Sequence, residues 1–413
     1  MDRALIVGLD LGKYNMDDSL KELEGLAKAL FIDVVGSFQQ RLDAPNVSTY
    51  VGSGKLEEIK QAVDALMIDI VIFDDELTPA QIRNLERYLD TQIIDRSFLI
   101  LSIFSERAKT KGAVLEVSLA QQKYLLPRLV GMYASLSRQG GGSYNAKGPG
   151  ETKLELDRRR IERNITKLER DLKILLQEKK TARKARHERR IPIVSLVGYT
   201  NAGKSATMNA LLKHLGNSHK SVFEKDMLFA TLDTTARRIN KKGYPTFIIT
   251  DTIGFLTRLP HAFITSFKST LSEVNASDLI LHIIDGTHPE KSLHETTTQN
   301  VLSELDCNEI PIQKVYTRLD LMDKELPYNS FWISNKTGEN VDKLIQLIYK
   351  QLFGNQVYVT LHIPYDRQAL INSLNEETIV YETKYEEQYI IITVKMFESQ
   401  LSQFQEFINK TAY

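Results

Sequence analysis

Through the first hundred residues, short apolar runs alternate with amphipathic stretches. The runs fall at residues 4–9, 33–37, 70–73 and 92–94, each the length of one strand. Between them, apolar side chains recur at helical spacing over residues 17–30, 55–66 and 78–89. Strands separated by single helices pair in parallel, because each helix carries the chain back to the end where the previous strand began. Residues 1–111 are therefore predicted to form an N-terminal parallel α/β domain.

The period changes from residue 112 to residue 190. Leu115, Leu119, Leu126, Leu129, Tyr133 and Leu136 follow a 4/3 spacing, with Gln122 at the one skipped position. Ile161, Ile165, Leu168, Leu172 and Leu175 repeat it, and Leu154 lies one heptad earlier. Two such stripes joined by a glycine-rich break predict a long antiparallel helical hairpin. Pro127 should kink its first arm. A second arm running from residue 152 to about 189 would be roughly 55 Å long at 1.5 Å per residue. The break, residues 138–150, holds five glycines with Arg138 and Lys147. It cannot pack a core, so it is either disordered or shaped by what it binds.

Residues 191–353 return to strand–helix alternation, with strands predicted at 193–197, 247–250, 279–284 and 312–316. Residues 354–413 offer a strand, a helix at 367–374, two more strands and a terminal helix. They form a small α+β unit without a catalytic constellation. The fold class is α/β, with the hairpin inserted between its two sheet domains.

Charge refines this picture locally rather than globally. The 413 residues carry 53 basic and 53 acidic side chains, so net charge names no partner. Residues 151–190 alone hold 15 Lys/Arg against 8 Asp/Glu. A solvated face laced with i,i+4 pairs is one reading. The block at 179–190 exceeds what pairing explains and favours nucleic-acid phosphates. The single Cys307 excludes a disulfide framework and fits a reducing compartment. Residues 1–30 carry charges throughout, unlike a secretory signal, and no apolar run approaches the ~20 residues of a membrane span. A cytoplasmic protein without a membrane segment is expected.

The candidate chemistry lies in the third segment. Gly198, Tyr199, Thr200, Asn201, Ala202, Gly203, Lys204 and Ser205 match G-x-x-x-x-G-K-[ST] between a predicted strand and a helix. The glycines let successive amides face phosphates. Lys204 should reach the β- and γ-phosphates, and the Ser205 hydroxyl should ligate Mg²⁺. Asp251, Thr252, Ile253 and Gly254 follow a strand of the same domain. The aspartate suits the surroundings of that Mg²⁺, and the Gly254 amide can sense the γ-phosphate. Thr317, Arg318, Leu319 and Asp320 end a later strand. Asp320 can accept from guanine N1–H and the 2-amino group, where adenine offers no donor, so the nucleotide is GTP or GDP. Arg318 can stack its flat guanidinium on the base. Ser334, Asn335 and Lys336 form the last loop, whose backbone would cap the guanine oxygen. Between the phosphate loop and Asp251, the run Phe229, Ala230, Thr231, Leu232 and Asp233 supplies Thr231 as second Mg²⁺ ligand, with Thr234 and Thr235 competing. Phe255 occupies the place after Gly254 where many GTPases orient water with a glutamine, so hydrolysis should need a partner or another group. In several relatives of this class of GTPase an Asn at this position ligates K⁺, and Asn201 either does the same or only supports its loop. The segment Tyr50-Val-Gly-Ser-Gly-Lys55 looks superficially like a phosphate loop but lacks the first glycine at the right spacing and a Ser/Thr after the lysine. It reads as a helix entry or, less well, as a ligand contact.

Taken with further motifs, the chain resembles the HflX family of GTPases, in the Obg–HflX superfamily of the translation-factor class. The likeness runs over nearly the whole length. It is carried by Gly52–Lys55, the Phe-Asp-Asp-Glu run at 73–76, Tyr-Leu-Leu-Pro-Arg-Leu at 124–129, Ser-Arg-Gln-Gly-Gly-Gly at 137–142, and Gly-Pro-Gly-Glu-Thr at 148–152. Residues 228–233 and Leu-Pro-His at 259–261 add to it. The resemblance implies binding to the large ribosomal subunit, insertion of the glycine-rich tip into its peptidyl-transferase region, splitting of ribosomes and a monomeric state. Ala206, Thr234, Arg318 and Asn335 depart from the family pattern, all in the nucleotide site. Two readings follow: a ribosome-stimulated GTPase that dissociates ribosomes, or a nucleotide-gated ribosome-binding regulator with little hydrolysis of its own. A P-loop kinase is disfavoured, because Asp251, Gly254 and Asp320 would have no task in one.

Overall fold

The computed structural model describes residues 2–12, 14–129, 149–187, 191–216, 235–252, 254–255, 274–322, 326 and 330–408. The described residues divide into two compact units, one within Met1–Thr181 and one from Ala182 onward.

The first unit opens with β1 (Arg3–Asp10), α1 (Met16–Ala29), β2 (Asp33–Arg41), α2 (Ser53–Leu66), β3 (Ile70–Phe73), α3 (Pro79–Leu89) and β4 (Gln92–Asp95). The strands pair in parallel in the order β2-β1-β3-β4. Leu5, Val7, Leu9, Val71 and Phe73 pack against Ile59, Val63, Leu85 and Leu89 as the core of one face. The local code is explicit at α3. Pro79 stands in its first turn, and Thr78 and Gln81 form a capping box. The segment Gly52–Lys55 is a helix entry: the Gly52 amide donates to Gln40 Oε1 at 2.9 Å, and Lys55 pairs with Glu58.

Two helices, α4 (Arg96–Arg107) and α5 (Lys111–Leu125), lead to a 3-10 turn at Leu126–Arg128, where Pro127 interrupts the α-helix. Arg128 is anchored there. Its guanidinium lies 3.4 Å from the Tyr124 ring centroid and donates to the carbonyls of Tyr124 and Leu77 and to buried Asp95. This explains the Tyr-Leu-Leu-Pro-Arg-Leu run: it fastens the end of α5 to the ends of β3 and β4. The second arm is α6 (Pro149–His187), 39 residues long, or about 58 Å at 1.5 Å per residue. The stripe Ile161, Ile165, Leu168, Leu172 and Leu175 is half-buried, while the residues between are exposed except Glu162 and Asp171. Lys123 on α5 reaches Glu169 on α6 at 2.8 Å. The tip at 138–148, the later part of the first stripe and residues 188–190 lie outside the described residues.

The second unit carries β5 (Ile193–Gly198), α7 (Lys204–His214), β6 (Thr235–Ile239), β7 (Phe247–Asp251), β8 (Leu279–Asp285), α8 (Lys291–Glu304), β9 (Ile312–Thr317) and α9 (Val341–Phe353). The sheet order is β6-β7-β5-β8-β9, with β6 antiparallel. The unforeseen β6, Thr-Ala-Arg-Arg-Ile, carries two arginines on an edge and lacks an apolar run. A three-stranded antiparallel sheet follows, β10 (Gln356–Pro364), β12 (Tyr389–Phe397) and β11 (Ile379–Tyr385) in that order, backed by α10 (Gln368–Glu377). The expected terminal helix is only a single α-turn, Leu401–Phe404, between 3-10 turns. Ile408 bridges back to Leu361, which redirects the chain before a helix can extend.

Candidate functional site

The strand ends of the second unit converge on one loop. Gly198 closes β5 with φ +151°, and a Cβ there would lie 2.1 Å from the Ile283 carbonyl oxygen on neighbouring β8. Asn201 and Gly203 also have left-handed φ, +59° and +93°. Three such residues in six turn the chain sharply enough to start α7 at Lys204. The first amides of a helix have no acceptor within it, so this turn presents donors and positive potential to an anion.

Lys204 is buried and bends back, donating to the carbonyls of Tyr199 at 2.7 Å and Gly198 at 3.2 Å. Burial pushes its pKa down to about 8, opposed by the Asp251 carboxylate. Ser205 Oγ donates to Asp251 Oδ2 at 2.6 Å. A hydroxyl and a carboxylate are the hard oxygen donors that Mg²⁺ takes, so this pair fits that ion. Thr200 Oγ1 is buried with no hydrogen-bond partner among the described residues, another polar group that a phosphate could satisfy.

The next strand holds the loop from the other side. The Thr200 amide donates to the Phe255 carbonyl at 2.8 Å, and the Phe255 amide donates to the Gly198 carbonyl at 3.0 Å. The Phe255 ring is fully buried, so the side chain after Gly254 is fixed in the core rather than facing the cleft. A Cβ on Gly254 would come within 2.8 Å of both Lys204 Nζ and Thr200 Cα. Only a glycine lets this backbone approach so closely.

The base end is assembled over longer range. Thr317 Oγ1 donates to the carbonyls of Ala202 and Ile284. Arg318, at φ +64°, pairs with Asp285 at 2.9 Å and donates to the Asn201 carbonyl at 3.4 Å. Its guanidinium thus braces the phosphate loop in this structure. Asp320 is exposed, and one of its carboxylate oxygens accepts from Ser334 Oγ at 2.6 Å. Asn335 Nδ2 donates to Thr207 Oγ1 at 3.0 Å and the Gly203 carbonyl at 3.4 Å. Trp332 closes the wall, stacked on Tyr316 and pressed so near Gly286 that a Cβ there would clash at 2.0 Å.

Of the sequence candidates, residues 198–205, Asp251, Thr252, Gly254, residues 317–320 and residues 334–336 surround this cleft. Thr252 faces inward, its hydroxyl bound to the Leu196 carbonyl, and Lys336 is exposed. Phe229, Ala230, Thr231, Leu232, Asp233, Thr234 and Ile253 lie outside the described residues. Sequence reading missed Asp285 and His294. Asp285 ends a parallel strand, where α/β folds place ligand-side groups, and that position was the available signal. His294 stacks on Tyr199 with ring centroids 3.6 Å apart, and nothing in the sequence marks it.

A mostly parallel sheet with a helix-entry phosphate loop, an Asp-x-x-Gly on the adjoining strand and an exposed aspartate, Asp320, just past β9 is the arrangement of a P-loop GTPase. Four family models match in succession: GTP-binding GTPase N-terminal over residues 17–105, GTP-binding GTPase Middle Region over 107–186, 50S ribosome-binding GTPase over 193–318, and HflX C-terminal domain over 322–410. The GTPase HflX of Caldanaerobacter subterraneus subsp. tengcongensis is 40% identical over 397 residues, covering 96% of this chain and 91% of that one. The GTPase HflX of Escherichia coli is 36% identical over 372 residues, covering 88% and 86%. A Sulfolobus solfataricus GTP-binding protein solved with GDP aligns over 85% of this chain and 99% of its own, at 24% identity and a TM-score of 0.46. The chain belongs to the HflX family of GTPases. No described helix is long and apolar enough to cross a membrane.

Proposed function

We propose that this chain binds the large ribosomal subunit as a monomer in the cytoplasm and splits ribosomes, with GTP hydrolysis accelerated by the ribosome. The observation that carries the hydrolysis part is the burial of Phe255. The residue after Gly254 cannot orient water, so the group that does so must come from elsewhere, and a ribosome supplies one only when bound. The long basic α6 and the 50S ribosome-binding model over residues 193–318 support the choice of partner.

In the proposed mechanism Lys204 exchanges the carbonyls of Gly198 and Tyr199 for the β- and γ-phosphates, and the amides of residues 199–205 cradle them. Ser205 and Thr231 would hold Mg²⁺, with Asp251 behind Ser205. When bound, that ion neutralises charge on the transferring phosphoryl group. The Gly254 amide reports the γ-phosphate, and its tie to the loop through Phe255 carries the report into β7. Asp320, oriented by Ser334, accepts from guanine. Exposed Asn201 suits a K⁺ ligand. Equal hydrolysis rates in KCl and NaCl at one ionic strength would leave it as a loop support only.

The test is multiple-turnover GTP hydrolysis with and without purified ribosomes, run beside subunit separation on sucrose gradients. Stimulation and splitting should both occur, and a variant lacking Gly140–Gly142 and Gly148–Gly150 should bind GTP yet fail to split. Splitting by a non-hydrolysable analogue without any stimulated turnover would favour the nucleotide-gated binding regulator instead. Wild-type splitting by the shortened variant would move the mechanism away from the tip.

A further inference from the structure

Asp285 places a negative charge at the strand ends that the nucleotide's phosphates must approach. It ends β8, level with Thr317 on β9, and only 8% of it is accessible. A buried carboxylate, here also repelling phosphates, needs a partner of opposite charge to be tolerated. Its two oxygens are divided. Oδ1 accepts from the Thr287 amide at 3.0 Å and from the Thr287 hydroxyl at 2.7 Å, which fixes the carboxylate plane. Oδ2 takes Arg318 Nη1 at 2.9 Å. The other amino group, Nη2, reaches the Asn201 carbonyl at 3.4 Å. Arg318 is therefore held at both tips of its fork, yet 40% of its side chain stays accessible.

A planar group tethered by both amino groups can offer a ligand little but its faces, and guanidinium faces stack on bases. The tether adjoins the base loop. Arg318, at φ +64°, leads into the turn Leu319–Leu321, which carries Asp320. A free arginine side chain would lose rotamer freedom on stacking, whereas a clamped one has lost it before the nucleotide arrives. We propose that Asp285 is a positioning residue for guanine nucleotides: acting through Arg318, it holds the guanidinium plane ready against the base. This role rests on the reading of Asp320 as the guanine acceptor and adds a second group to it. A purely structural pair would instead tie β8 to the phosphate loop, and its loss would disturb the phosphates.

Asp285→Asn in the full chain keeps the shape of the side chain and removes the charge that holds Nη1. Affinity for GTP and GDP should fall about tenfold, the scale of one stacked cation. Single-turnover hydrolysis of bound GTP should stay at the wild-type rate, because the reacting phosphate lies at the other end of the cleft. A matching fall in that rate would show that the pair serves the phosphate loop, and would overturn the proposal, as would unchanged affinity. Arg318→Ala should weaken binding at least as much. Adding Asp285→Asn to it should cost nothing further, since Asp285 acts only through that guanidinium. A second loss of about tenfold in the double variant would mean that the two residues act independently, which sinks the positioning role. Should Asp285→Asn fail to fold, Arg318→Lys decides alone. It keeps a cation beside Asp285 but offers no plane, so GTP affinity should fall with the single-turnover rate unchanged; wild-type affinity would overturn the proposal. Asp320→Asn, measured in parallel, separates the two readings. If it leaves GTP binding intact, the base loop is misplaced and the role of Asp285 falls with it. If it weakens GTP binding while Asp285→Asn does not, only the role of Asp285 falls.

Discussion

The two ends of the nucleotide cleft are built by different means. At the phosphate end the shape comes from the backbone of a short stretch: Gly198, Gly203 and Gly254 stand where a Cβ has no room or no allowed φ. At the base end the shape comes from side chains reaching across the chain, as Thr317 does to Ala202, Arg318 to Asn201 and Asn335 to Gly203. Backbone geometry tolerates almost no substitution, whereas a side-chain brace can be replaced by another of similar reach. The departures Arg318 and Asn335 both sit at the base end. There Arg318 still finds Asp285 and the Asn201 carbonyl.

The sharpest break would come from Gly198→Ala. The added carbon would lie 2.1 Å from the Ile283 oxygen, and that atom belongs to a central strand that cannot yield. Overpacking together with an unfavourable φ should cost about 3 kcal/mol or more. Denaturant unfolding should show that loss, and GTP binding should disappear with the loop. A variant with wild-type stability would mean that the phosphate end is no more constrained than the base end. Next in size, Asp320→Asn exchanges an acceptor for a group that can donate to the extra carbonyl of xanthine. Charge-assisted bonds are worth about 1.5–3 kcal/mol each, so GTP affinity should fall at least tenfold while XTP affinity rises. Titrations with both nucleotides decide it. Undiminished GTP binding would remove Asp320 from base recognition.

An intermediate effect should follow pH. In the ligand-free protein Lys204 loses its proton near pH 8, because burial disfavours the ammonium form. Phosphates favour that form, so above about pH 8 binding must take up a proton. GTP affinity should be flat below that pH and fall by up to tenfold per unit above it. The stability of the free protein should change in the opposite sense. From about pH 8 to the ordinary lysine range, the unfolded chain binds the proton that the folded chain has released, so stability rises. Calorimetry at pH 9 in buffers of different ionisation enthalpy measures the uptake. No proton linked to binding would show that Lys204 stays charged in its carbonyl cage.

Much of this was legible in the sequence, and for the same reason that the phosphate end is rigid. The strands at 70–73 and 193–197 were visible because buried parallel strands read as apolar runs, and the loop at 198–205 because its constraints are consecutive. β6 was missed because an edge strand with Arg237 and Arg238 has no such run. The Tyr199–His294 stack and the Asp285–Arg318 pair were missed because each joins residues far apart, and neither residue type is diagnostic alone. Pro127 predicts a kink, and the structure gives the kink a purpose: it lets Arg128 turn back onto Asp95.

The smallest effect belongs to Asn335→Ala, and it bears directly on how replaceable the base-end braces are. Asn335 gives one good hydrogen bond to Thr207 and a long one to the Gly203 carbonyl. Neutral bonds of this kind contribute about 1 kcal/mol each. Its Oδ1, however, is buried with no partner among the described residues, and such an atom costs about 1–3 kcal/mol. Truncation removes both contributions, so they should largely cancel. Stability should move by less than about 1 kcal/mol and GTP affinity by less than about fivefold. Ser334 would still orient Asp320, since that bond does not pass through residue 335. A fluorescent GTP analogue measures the dissociation constant directly. A loss beyond about thirtyfold would mean that Asn335 holds the base itself, and the base end would then be as demanding of its residues as the phosphate end.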